Sequence, residues 1–138
     1  MTIADENIEL WLLLKQASEA TKAAVISDVT TASEISEPEL TVLVHLSQVG
    51  GISRQNALAA ETGWDRTRLS HLLTRMEARG LVTRTRLPNG VSISLDAKGR
   101  DVVTQNRPVL AAAVETHFTH RLSTAEQIAL REILEKLT

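Results

Sequence analysis

Apolar positions recur along this chain at two periods. Over most of its length they step by three and four residues, and over a short middle stretch they alternate. Leu10, Leu13, Leu14, Ala17, Ala20 and Ala24 follow the first period, and no Gly or Pro precedes Pro38, so residues 5 to about 30 read as one long helix. Ser36-Glu37-Pro38-Glu39 opens a second helix, with Ser as cap, Pro in the first turn and Glu three residues after the cap. Leu40, Leu43, Val44 and Leu46 form its apolar face, and Gly50-Gly51 ends it. Ser53 is expected to cap a short helix to about Thr62, broken by Gly63. Asp65 is expected to cap a helix to Arg79, with Leu69, Leu72, Leu73 and Met76 inward and Gly80 at its end. Leu81 to Arg86 and Val91 to Leu95 alternate as strands. Asn89-Gly90 between them is a hairpin signal, expected as a type I′ turn with positive φ at both positions. Asp96 should cap a further helix, kinked or broken near Pro108 and ending near Arg121. The capping box Ser123-Thr124-Ala125-Glu126 opens a last helix bearing Ile128, Leu130, Ile133, Leu134 and Leu137.

A short helix, a Gly turn, a polar-faced helix and a hairpin in succession make a winged helix-turn-helix. The expected fold is therefore mainly α with a small β-hairpin. We read residues 1–138 as a single domain, with a winged helix-turn-helix core at about 37–96. The flanking helices, at about 3–32 and 97–138, carry more Leu, Ile and Ala than a chain this small can bury alone. A twofold homodimer would cover them. It would also set two recognition helices about 34–36 Å apart, matching successive major grooves.

Composition narrows the function. Of 138 residues, 43% are hydrophobic and 23% charged, which fits an ordered globular chain. The aromatic residues are Trp11, Trp64 and Phe118 alone, so the core must be aliphatic. Without cysteine there is no disulfide framework, thiolate metal site or catalytic thiol. The acidic start and the lack of an apolar run near ~20 residues point to no export and no membrane span, hence a cytoplasmic protein. The net charge of −2 is unevenly spread: −6 over residues 1–64, +4 over 65–86 and 0 beyond. All six bases of the central segment are arginines, the residue suited to phosphate and guanine edges. One anionic partner at one place is implied, and double-stranded DNA is the natural one.

Catalysis finds little support. The histidines are His45, His71, His117 and His120, and Ser70-His71, adjacent on a helix, point about 100° apart. His117 and His120 could share a helical face for a metal, with His45 as a third ligand, but this set is incomplete. Histidines near a helix C-terminus also complement its dipole, and we expect no metal or other cofactor. Trp64 is read as packing the start of the following helix.

Three stretches resemble the MarR family of bacterial transcriptional regulators: Glu39-Leu40-Thr41-Val42-Leu43, Leu58 to Gly63, and Arg68 to Val82 with its Glu-x-x-Gly-Leu-Val ending. Leu95-Asp96-Ala97-Lys98-Gly99-Arg100 and Leu122-Ser123 extend the resemblance over nearly the whole chain. It implies a homodimer with intertwined terminal helices that binds a pseudo-palindromic operator, as a repressor released by a small-molecule effector. Carried onto this sequence, the DNA-binding candidates are Arg54, Arg66, Thr67, Arg68, Ser70, His71, Thr74 and Arg75, with Arg84 and Arg86 on the wing. Trp11, Leu14 and His45 are the candidate wall of an effector pocket. The wing departs from the family pattern: Arg86-Leu87-Pro88-Asn89-Gly90-Val91 has no Arg at its tip. Specificity is then expected to rest on the helix, with the wing arginines reaching phosphates. The competing reading is a dimeric winged-helix module that binds protein without operator specificity.

Overall fold

The computed structural model describes residues 3–138, with side chains from residue 5. Its elements in chain order are α1 (Ile3–Ala32), α2 (Glu37–Gln48), β1 (Ile52–Arg54), α3 (Gln55–Thr62), α4 (Arg66–Ala78), β2 (Val82–Leu87), β3 (Gly90–Leu95), α5 (Ala97–His117), a 3₁₀ turn (Thr119–Arg121) and α6 (Thr124–Leu137). The chain divides into two compact units: Ser33–Arg107, and α1 together with Pro108–Thr138. Among the described residues, no helix is long and apolar enough to cross a membrane.

The unit Ser33–Arg107 is a winged helix-turn-helix around an aliphatic core. Leu40, Val42, Leu43 and Leu46 of α2, Leu58 of α3, Leu69, Leu72, Leu73 and Met76 of α4, and Leu81, Val82, Ile93 and Leu95 around the strands are all buried. The caps read from sequence form at α2 and α4. Ser36 Oγ accepts from the Glu39 amide at 3.3 Å while Glu39 Oε1 accepts from the Ser36 amide at 3.1 Å. Asp65 Oδ1 accepts from the amides of Thr67 at 2.6 Å and Arg68 at 3.3 Å. Gly63 closes α3 with φ of 70°, a left-handed conformation that glycine adopts without strain.

Three local expectations are corrected. Ser53 is no helix cap: Ile52–Arg54 is a strand paired with Ser92–Ser94, giving an antiparallel sheet of order β1-β3-β2. Arg54 stands at the α3 N-cap with no side-chain cap bond. Three residues are too few to show a period, so only the pairing reveals the strand. The hairpin turn is centred one residue earlier than expected, because Leu87 pairs with Gly90 and leaves Pro88-Asn89 as the loop. Pro88 fixes a negative φ and suits the second position of a turn. Among the described residues positive φ occurs only at glycines, here Gly90, so the type I′ turn does not form. Finally, α5 runs unbroken through Pro108 and ends at His117, with the 3₁₀ turn covering Thr119–Arg121. Pro108 removes one backbone donor, to the exposed Thr104 carbonyl position that water can serve.

In the other unit, Ser123 and Glu126 form the expected capping box of α6, at 3.1 and 2.8 Å. His117 Nε2 pairs with Asp28 Oδ2 at 2.8 Å, joining α5 to α1. Large apolar side chains stand in solvent here: Ile8, Leu10, Trp11 and Leu13 on α1, and Ile128, Ile133 and Leu137 on α6.

Candidate nucleic-acid interface

The helix α4 has three faces, each set by the 3.6-residue repeat. Leu69, Leu72, Leu73 and Met76 make the first and are buried. Ser70, Thr74 and Glu77 make the second, one turn apart, and look toward β2. Thr67, Arg68, His71 and Arg75 make the third, and all four are exposed.

The second face is already occupied. Arg84 of β2 lies along it, with Nη2 donating to Thr74 Oγ1 at 2.7 Å and to Glu77 Oε1 at 3.3 Å. Its Nε donates to Glu77 Oε1 at 3.3 Å, and its Nη1 to the Ser70 carbonyl at 3.4 Å. The Arg84 amide donates to Glu77 Oε2 at 3.1 Å. That backbone bond, together with the guanidinium, holds the Glu77 carboxyl below its usual range. The Thr74 hydroxyl in turn donates to the Ser70 carbonyl at 2.9 Å, so both its roles are used. Sequence reasoning placed Ser70, Thr74 and Arg84 with the open DNA candidates; the structure gathers them into a clasp between helix and wing. Glu77, absent from those candidates, completes it. The signal available was a carboxylate and a guanidinium seven residues apart across the Gly80 turn.

The third face is open. Arg66 and Thr67 stand exposed in the first turn of α4. The Arg68 guanidinium sits 5.8 Å from the centroid of the Trp64 ring, a cation–π distance. Trp64 is half-buried at the start of α4, where it was expected to pack. His71, Arg75 and Arg86 are exposed, and among the described residues none has a hydrogen-bond or ion-pair partner. Arg54 on β1 donates through Nη1 to Asn89 Oδ1 at 3.0 Å, which ties the edge strand to the wing turn.

The back of α4 is anchored separately. Arg79 Nη1 donates to Glu39 Oε2, and Lys98 Nζ donates to the Arg79 carbonyl at 2.9 Å. Burial alone would raise the Glu39 carboxyl. The hydrogen bonds from the Ser36 amide and hydroxyl and from Arg79, with the Arg79 charge, bring it below its usual range.

A model of the MarR family matches residues 33–90. That stretch takes in α2, β1, α3, α4 and β2, and over it the chain is similar to the MarR family. Its fold over nearly the whole length is that of solved MarR-family structures. AbsC, a MarR family transcriptional regulator from Streptomyces coelicolor, matches with a TM-score of 0.81 and 24% identity, covering 99% of this chain and 93% of that one. A mutant MarR from E. coli complexed with operator DNA matches at 0.80 and 20%, covering 99% of both chains. The organohalide-sensing regulator RdhR in its 2,4-dichlorophenol bound form matches at 0.75 and 22%, covering 95% of this chain and 78% of that one. At these identities the likeness is one of fold. No curated protein matches this chain in sequence.

The remaining candidates lie elsewhere in the chain. Trp11 is 61% exposed on α1, with the Lys15 ammonium 5.9 Å from its ring centroid. Leu14 is exposed on the same helix, and His45 is half-buried on α2. His120 Nε2 is 3.9 Å from Glu115 Oε2, and His117 is taken by Asp28. Among the described residues no three His, Cys, Asp or Glu side chains gather closely enough to hold a metal.

Proposed function

We propose that this chain is a sequence-specific DNA-binding transcriptional regulator, acting in the cytoplasm as a ligand-responsive repressor and binding a pseudo-palindromic operator as a homodimer. The observation that carries this is the open face of α4, where Arg68, His71 and Arg75 stand exposed, with no hydrogen-bond or ion-pair partner for their side chains among the described residues, beside the exposed wing residue Arg86. A helix of this kind enters the major groove with its N-terminal residues toward the bases. Arg66 and Arg68 there meet base edges or phosphates, and the helix dipole favours the same anionic partner. Thr67 and His71 lie within the groove. Arg75 and Arg86 contact the phosphate backbone.

Dimerisation is supported by the apolar side chains in solvent on α1 and α6, which a second copy would cover. On this reading the winged helix-turn-helix at about 37–96 is the reading head, and the flanking helices are the dimer arms. The fold shared with a regulator solved with 2,4-dichlorophenol supports an effector for this chain. An effector acts only as far as it binds two recognition-helix spacings differently.

Fluorescence anisotropy tests this with two duplexes, one from the region upstream of the gene and one scrambled. A preference of about 10³ or more is expected. A duplex selection from a random pool that enriches no sequence would leave the chain as a protein-binding module instead.

A further inference from the structure

We propose that Trp64 is a positioning residue that aims the Arg68 guanidinium at one guanine in each half of the operator, and so sets which base pair that arginine reads. This deepens the DNA-binding reading given above and rests on it. The Arg68 guanidinium lies over the Trp64 ring, 5.8 Å from its centroid. A cation over an indole is held by its charge. The attraction spends none of the N–H donors, so the planar fork that matches guanine O6 and N7 stays available.

Arg68 differs in this from the other arginines of the helix-turn-helix and wing. Arg84 gives its donors to Thr74, Glu77 and the Ser70 carbonyl. Arg79 donates to Glu39, and Arg54 to Asn89. Arg66, Arg75 and Arg86 have no hydrogen bond, ion pair or ring contact among the described residues, so each gives up rotamer freedom when it binds. Arg68 alone among them is restrained while keeping its donors. A restrained side chain loses less freedom on binding and presents one geometry. Base reading needs that geometry, whereas a phosphate contact positions the protein without reading sequence.

The ring is itself fixed from two sides. Gly63 closes α3 in the left-handed conformation, and the Trp64 amide that follows donates to Thr62 Oγ1 at 3.3 Å. The Thr62 hydroxyl in turn donates to the carbonyl of buried Leu58 at 2.9 Å. On the other side, Asp65 Oδ1 accepts from the Arg68 amide at 3.3 Å. Ring and guanidinium therefore leave the same capped turn, in the first residues of α4, the end that faces the bases in a helix of this kind.

The test uses the full chain, a duplex selected by wild type from a random pool, and copies of it in which each G·C pair is replaced in turn by A·T. Affinity for each is measured for wild type, Trp64→Leu, Trp64→Phe and Arg68→Lys, with proton spectra of the Arg68 side chain recorded without DNA. We expect Arg68→Lys to lose discrimination at one G·C pair per half-site. Trp64→Leu should lose about three- to tenfold at that same pair and no other, and Trp64→Phe, which keeps a ring, should lose less. The slope of log affinity against log salt should stay the same in Trp64→Leu, since no phosphate contact is removed. The Arg68 side-chain resonances should carry a ring-current shift that Trp64→Leu abolishes. A Trp64→Leu variant that weakens all duplexes by one factor would overturn the proposal, because Trp64 would then only support the helix. Arg68→Lys discriminating like wild type at every pair would also overturn it, and this variant leaves the packing of Trp64 intact. So would Arg68 resonances that are the same with and without the indole. A pool that enriches no sequence would bring down the regulator reading and this proposal together, whereas an enriched sequence with unaltered discrimination in Trp64→Leu would bring down the proposal alone.

Discussion

The Arg84 guanidinium on the wing donates to the Thr74 hydroxyl on α4 across 2.7 Å. Arg84 is only 20% exposed, and its remaining donors are spent on Glu77 and the Ser70 carbonyl. A guanidinium held in this way sets the angle between helix and wing, so we assign Arg84 to positioning and leave contact with DNA to the third face of α4. In Glu77→Gln the clasp loses its charge partner. Amide hydrogen exchange over residues 82–95 should then speed up while the core amides of α2 keep their protection. Unchanged exchange across the wing would show that the clasp is not what holds it.

Gly99 is required by packing rather than by backbone freedom. A Cβ there would lie 2.3 Å from the Leu81 carbonyl oxygen and 2.8 Å from Leu95 Cδ1. The first of these is backbone and cannot swing aside, so α5 would have to move off the sheet. Gly99→Ala should lower stability by about 1–3 kcal/mol, the usual range for overpacking. Urea denaturation measures it, and a midpoint equal to wild type would contradict the assignment.

Asp65 carries the first turn of α4 by accepting from two amides that no helical carbonyl serves. Asp65→Ala should cost about 0.5–2 kcal/mol, and Asp65→Ser should recover most of it, since either side chain can cap. Equal stabilities for the two variants would remove the cap from the account.

The Glu39 carboxyl, lowered by Ser36 and Arg79, ties stability to pH. A carboxyl whose value falls on folding adds stability that is present above its unfolded value, about 4.3, and is lost as pH drops through the folded value. Wild type should therefore lose stability below about pH 4.3 more steeply than Glu39→Gln, which keeps the shape without the charge. Chemical denaturation between pH 3 and 7 separates them, and parallel curves would count against the role of Glu39.

Much of this architecture could be read from the chain because its signals are local. The capping boxes at Ser36 and Ser123, the Asp65 cap and the apolar rows of α2 and α4 each lie within a few residues. The β1 strand escaped because Ile52–Arg54 has no period of its own and exists through its pairing with β3. The turn was misplaced because Asn-Gly is a strong signal in isolation, yet Pro88 dictates the register. At the interface, periodicity separated the buried face of α4 from the polar one. It could not divide the polar face further, since Ser70 and Thr74 are taken by a guanidinium ten to fourteen residues along the chain.

The central claim is that the open face of α4 meets DNA phosphates while Arg84 only positions that face. The most direct measurement is the slope of log affinity against log salt, on one duplex, for wild type, Arg75→Ala and Arg84→Met. Arg75→Ala should reduce the slope by about 1, having removed one phosphate contact. Arg84→Met should weaken binding with the slope unchanged. A slope that falls for Arg84→Met and stays the same for Arg75→Ala would contradict the account.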